Sequence, residues 1–136
     1  MCLSSVYPES EIKKLPETIS MWRLFTKEDG VLFSVNQGFR FKLGTNLAPK
    51  PVKYDGDDDK GFHCFLTRKD ARRIRELEKM CGWANDYTIR KVTVNRKDVK
   101  VLGRTSWHFN YPRKTSVKTE TAVVAKMTIL STKEAR

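Results

Sequence analysis

Cysteine is scarce and poorly spaced for structure. Cys2, Cys64 and Cys81 are odd in number and show no CxxC pair, which argues against a disulfide framework and against a structural zinc site. Cys64 and Cys81 lie within apolar patterns and read as small core residues, Cys2 as an exposed thiol. Histidine is scarcer still: His63 and His108 are the only two and lie far apart, and the sequence holds no P-loop, no GxSxG and no HExxH. Long apolar runs are also missing, so no stretch reads as a membrane-spanning helix, and the first residues lack the basic and apolar regions of a secretory signal. The expectation is a cytoplasmic protein with no membrane contact, no metal and no cofactor.

Acid is in short supply, and unevenly so. The 136 residues carry 27 Lys and Arg against 16 Asp and Glu, a net charge of +11. Residues 1 to 60 hold nine of each sign, so the imbalance of 18 against seven falls wholly in residues 61 to 136. A neutral half joined to a basic half points to a surface built for a polyanion or an acidic partner. The length suits one domain with a real core and is too short for two ordinary ones.

What is present is organised around residues 61 to 82. Gly61-Phe62-His63-Cys64-Phe65-Leu66 reads as a short apolar strand running into Thr67, a helix N-cap residue, with Asp70 three places on as in a capping box. Ala71, Ile74, Leu77 and Cys81 recur at helical spacing, and Gly82 supplies a stop. Before it, residues 1 to 18 read as a flexible arm, and Ile19 to Thr26, Val31 to Val35 and Phe39 to Leu43 as a β-meander turning at Glu28-Asp29-Gly30 and Asn36-Gln37-Gly38. The run Asp55-Gly56-Asp57-Asp58-Asp59 lacks the ligand pattern of an EF-hand and reads as a solvated loop.

After the helix, Tyr87 to Val94 alternates with a change of phase at Arg90-Lys91, which suggests a bulge or two charges turned toward solvent or a ligand. Val99 to Gly103, Thr105 to Tyr111 and Thr121 to Leu130 read as further strands, Lys114 to Lys118 as loop, and 131 to 136 as a polar tail. The fold class expected is α+β: one domain over 19 to 130, a curved antiparallel sheet or half-barrel of six to seven strands with one main amphipathic helix.

Two constellations carry chemistry. Arg90, Lys91, Arg96, Lys97, Lys100, Arg104, Trp107, His108, Phe109, Tyr111, Arg113 and Lys114 interleave cations with aromatic rings. Cations meet phosphates and exposed rings stack on bases, so the candidate binding residues are Arg90, Lys91, Arg96, Lys97, Arg104, Trp107, His108, Arg113 and Lys114. The partner would be a nucleic acid, a nucleotide or an acidic protein surface. Arg23 stands apart, because an arginine on an apolar strand face must be paired or must serve a ligand.

The combination Met21-Trp22-Arg23-Leu24-Phe25, Gly61-Phe62-His63-Cys64-Phe65-Leu66-Thr67 before a helix, and Tyr87 to Val94 resembles small bacteriophage and mobile-element domains in which a GFH strand precedes a helix. That resemblance implies a phage or mobile-element origin and, by itself, no particular activity; joined to the basic half of the chain, it leads to the expectation of a viral binding module that engages nucleic acid, a nucleotide ligand or a nucleic-acid-processing host complex, in the role of an inhibitor of host defence. The same layout is distantly similar to ADP-ribosyltransferases. That likeness implies an enzyme using NAD, with Arg23 holding NAD, His63 in the pocket wall and Glu120 as catalytic acid. The HGT or RGT triplet and the paired ExE of that family are absent. A binding module is expected ahead of an enzyme.

Overall fold

The computed structural model describes residues 3–28, 30–34, 40–48, 61–82, 87–110 and 113–130. In chain order these form β1 (Ser5–Val6), α1 (Glu9–Lys13), β2 (Thr18–Glu28), β3 (Val31–Ser34), β4 (Arg40–Phe41), β5 (Gly44–Leu47) and β6 (Phe62–Phe65). There follow α2 (Arg68–Met80), β7 (Tyr87–Asn95), a 3-10 turn (Arg96–Asp98), β8 (Val99–Phe109), β9 (Thr115–Val124) and β10 (Lys126–Ile129).

The expected six to seven strands and single main helix are corrected by a ten-stranded, wholly antiparallel sheet with two helices. The pairing order is β1-β8-β9-β6-β2-β7-β10-β5, and β3 and β4 branch from β2. Besides β1 and α1, which lie in the stretch read as an arm, three causes account for the difference. Thr115 to Lys118 has only Val117 as an apolar residue and looked like loop, yet Val117 packs under α2 and the segment pairs with β8. The stretch read as one strand over 121 to 130 is two, broken at Ala125, whose N–H donates to the Asp98 carbonyl and whose carbonyl accepts from Ala48. Finally, β5 is polar at Thr45 and Asn46 but pairs with β10 throughout.

Connectivity forces the sheet to bend. Between β9 and β10 lie three strands, so a flat sheet would hold them about 19 Å apart at roughly 4.8 Å per step. One residue joins them, and Val124 to Lys126 spans at most about 7 Å. The sheet therefore wraps round until these strand ends meet, and its concave face encloses one core that includes Met21, Phe25, Val92, Ala122, Val124 and Ile129. The residues between them in β2, Trp22 and Leu24, face outward and pack beneath α2 with Ile74, Ile89 and Phe109. Burial on both faces explains why β2 and β7 lack a single clean alternation.

The helix follows its sequence signals closely. Thr67 Oγ1 accepts the Asp70 N–H at 3.2 Å, Ala71 and Ile74 are buried, and Gly82 stops the helix with φ +81° and its N–H donated to Lys79. Asp70 does not reach back to Thr67 as a capping box would; its Oδ2 accepts the Glu120 N–H at 3.3 Å and ties the helix to β9.

Residues expected as a flexible arm over 1 to 18 are, where described, docked. Ser5 and Val6 pair with Arg104 and Gly103, while Tyr7, Ile12 and Leu15 pack on the core. The close approach needs Gly103, since a Cβ there would collide with the Ser5 carbonyl oxygen and press on Leu3. Among the described residues no helix is long and apolar enough to cross a membrane. Asp55 to Asp59, Asn36 to Gly38, Tyr111 and the polar tail lie outside the described residues.

Candidate functional site

The 3-10 turn Arg96–Asp98 joins β7 to β8 and sits against α1. Between them is a cleft of about 590 Å³, lined by Lys13 and Glu9 of α1, Glu17, Arg96, Lys97 and Lys100, with Ile12 and Val99 as its apolar floor. Arg96 is fixed in place: its N–H donates to the Glu17 carbonyl at 2.8 Å and its Nη1 to the Leu15 carbonyl at 2.9 Å. Lys100 Nζ reaches the Lys97 carbonyl at 3.4 Å. Four cations thus meet two carboxylates in one concavity, a net positive wall around an apolar floor. Lys100, part of the basic and aromatic constellation read in the sequence, joins Arg96 and Lys97 here, and so does Lys13, which that reading passed over; the docking of α1 is what recruits Lys13.

The remaining candidate residues do not converge on this cleft. Arg104 is engaged at the β8–β9 ribbon, where its Nε donates to Tyr7 Oη at 2.9 Å and to Glu120 Oε1 at 3.2 Å, and the Tyr7 hydroxyl donates to Glu120 Oε2 at 2.6 Å. Burial and then the Glu120 carboxylate push the Tyr7 hydroxyl's pKa up. His108 is exposed and pairs with Ser116 Oγ at 3.0 Å, and Arg113 and Lys114 are exposed before β9. Lys91 is exposed on the outer face of β7, opposite Trp22.

Trp107 is engaged with the core on one side. It lies half-buried against the core beneath α2, 6.1 Å from Phe65 and 6.5 Å from the buried Phe109, centroid to centroid, with its Nε1 donated to Thr119. The strict alternation of rings in this strand marked a core face. Sequence reading also passed over the solvent side of α2, where Arg68, Lys69, Arg72, Arg73 and Lys79 are exposed and Glu76 is the one exposed acid. The helical spacing that identified the buried face already implied this basic one.

Arg90 differs most from expectation. The β2–β7 ladder runs without a bulge from Thr18 opposite Asn95 to Thr26 opposite Tyr87. Arg90 therefore points inward and is only 3% exposed, directly across from Arg23, while Lys91 points out. The phase change reflects Ile89 facing the helix and Val92 facing the inner core.

The side chains of Arg23 and Glu120 are each engaged by other partners. Arg23 Nη1 donates to the main-chain carbonyl of His63, and its guanidinium lies 5.4 Å from the Phe41 ring and 5.8 Å from that of Phe62. His63 alternates with the inner-core Phe62 and Cys64, so its ring is on the other face of β6, and Glu120 is committed to Tyr7 and Arg104. None of the three lines the cleft. Among the described residues no cluster of His, Cys, Asp and Glu is placed to hold a metal ion. No family model, no curated protein and no solved structure matches this chain.

Proposed function

We propose that this protein is a basic, non-enzymatic binding module of the cytoplasm that grips the phosphate backbone of a nucleic acid in the cleft between α1 and the Arg96–Asp98 turn. The observation that carries this reading is the convergence of Lys13, Arg96, Lys97 and Lys100 in one concavity, with Arg96 pinned by two main-chain carbonyls so that its remaining donors are preorganised. The net charge of +11 and the exposed cations of α2 add a long-range attraction for the same class of partner. With Trp107 and Phe109 packed away, recognition rests on the backbone and carries little base preference.

The test is binding of labelled duplex and single-stranded oligonucleotides across a salt series. Affinity falls linearly on a log–log plot with a slope set by the phosphates neutralised, about −0.9 per phosphate for duplex. The double substitution Lys97→Glu with Lys100→Glu lowers affinity at least tenfold at low salt and flattens the slope by roughly two phosphates. Arg104→Ala leaves binding unchanged, because Glu120 already neutralises that cation. Absence of binding at low salt, or a double variant that binds like the parent, overturns the reading.

A further inference from the structure

A second cationic site lies at the other end of β2, about 30 Å along the strand from the cleft at roughly 3.3 Å per residue. Paired β3 and β4 lie beside this end, and residues of β2, β3, β4 and β7 line a half-open cavity of about 180 Å³. Its described lining includes four cations, Lys27, Arg40, Lys42 and Arg90, and no acid. Phe41 and Leu32 give it an apolar back wall.

Arg90 is what distinguishes this cavity from an ordinary basic surface. The residue is 97% buried, taking its 3% exposure, and its Nε and Nη1 are shut off from solvent with no hydrogen-bond partner among the described residues. Directly opposite in the ladder stands Arg23, whose Nε is likewise buried and unpartnered and whose cation faces Phe41 in the cavity wall. Like charges facing across a strand pair repel, and an unpaired buried guanidinium is strongly unfavourable. The unfilled donors and the four cations share one demand, an anion with several acceptor oxygens.

We infer that the cavity beside paired β3 and β4 is a binding site for a phosphate group, with Arg90 as its buried anchor and Lys27, Arg40 and Lys42 closing round the remaining oxygens. Guanidinium forks match the spacing of phosphate oxygens, and four cations balance a group of two or more negative charges. The cavity has about six times a water's share of liquid volume, ~30 Å³, enough for a phosphate or a short phosphate chain and too little for an attached base to enter. This site is independent of the cleft, and either can fail without the other.

The experiment is thermal unfolding and calorimetric titration of the full chain in phosphate-free buffer of fixed ionic strength, with inorganic phosphate, pyrophosphate and ATP as separate probes and sodium chloride as the ionic control. The expected result is a saturable rise in Tm with at least one phosphate species and none with chloride. Saturation by inorganic phosphate assigns a free anion, and saturation only by pyrophosphate or ATP assigns a phosphate chain; both support the site. Arg90→Met abolishes the effect while its own unliganded Tm stays level or rises, since it removes an unpaired buried charge. Arg40→Gln, at an exposed position outside the core, weakens binding at least tenfold, and Lys118→Gln, exposed on β9 and lining neither site, leaves it unchanged. No saturable effect with any of the three probes, or Arg40→Gln and Arg90→Met titrating like the parent, overturns the inference.

Discussion

Cys64 shows how a single buried side chain couples to solution conditions. It is wholly buried in the inner core beside Arg23, and burial pushes its thiol from the ordinary 9.0 up to about 11 while the Arg23 cation pulls the other way. Between those values the unfolded chain has lost the proton and the folded chain keeps it. The stability contribution is therefore complete below about pH 9 and is lost as pH rises toward 11, by on the order of 2 kcal/mol. Tyr87, raised from 10.0 to about 12 by burial and then by Glu78, acts in the same direction at higher pH. Urea midpoints measured from pH 8 to pH 10.5 should fall, and Cys64→Ala should flatten the part of the slope that begins near pH 9. A thiol reagent at pH 8 should leave Cys64 unmodified until the protein unfolds. Position within an apolar run was enough to foresee this residue as core; the arginine beside it comes from another strand and left no local trace.

Elements were legible in proportion to how far local rules fixed them. Thr67, the Ala71-Ile74-Leu77 stripe and Gly82 gave α2 almost to its ends, because cap, stripe and stop all lie within one turn of the residues they govern. Val117 and Thr119 could not announce β9, since their burial depends on a helix that arrives from fifty residues earlier. The binding set divided for the same reason: Arg96 and Lys97 share a turn and stayed together, whereas Arg90 and Lys91 are adjacent in sequence and lie on opposite faces of a strand. The attachment of β1 offers a test of element packing. Gly103→Ala should push Ser5 off β8 and break the bonds from Ser4 to Arg104 and from Tyr7 to Leu102, at a loss of about 1–3 kcal/mol. Urea denaturation gives the magnitude, and faster proteolysis ahead of α1 would locate the damage there; an unchanged midpoint would mean that the strand contributes nothing to stability.

For the whole molecule, the decisive join is Ala125. Its N–H and carbonyl bridge the Arg96–Asp98 turn and the end of β5, so the point where β9 becomes β10 is also where the two arms of the sheet are held together. Ala125→Pro removes the N–H and orphans the Asp98 carbonyl, which should lower stability by about 1–3 kcal/mol in one cooperative transition. Two separated transitions would instead show that the arms fold as independent units.

The order of strands also bears on when the chain can fold during synthesis. Among the described residues β9 alone links β8 to β6, and β10 alone links β7 to β5, yet each is made after both of the strands it joins. The nascent chain can zip β2 to β3 and β7 early, but it carries β6 and β8 with bonding edges open until Val124 has been released, and β5 until Ile129 has followed. These joins come late, and up to that moment the edges are sites where a chaperone, or a second nascent copy, can pair instead.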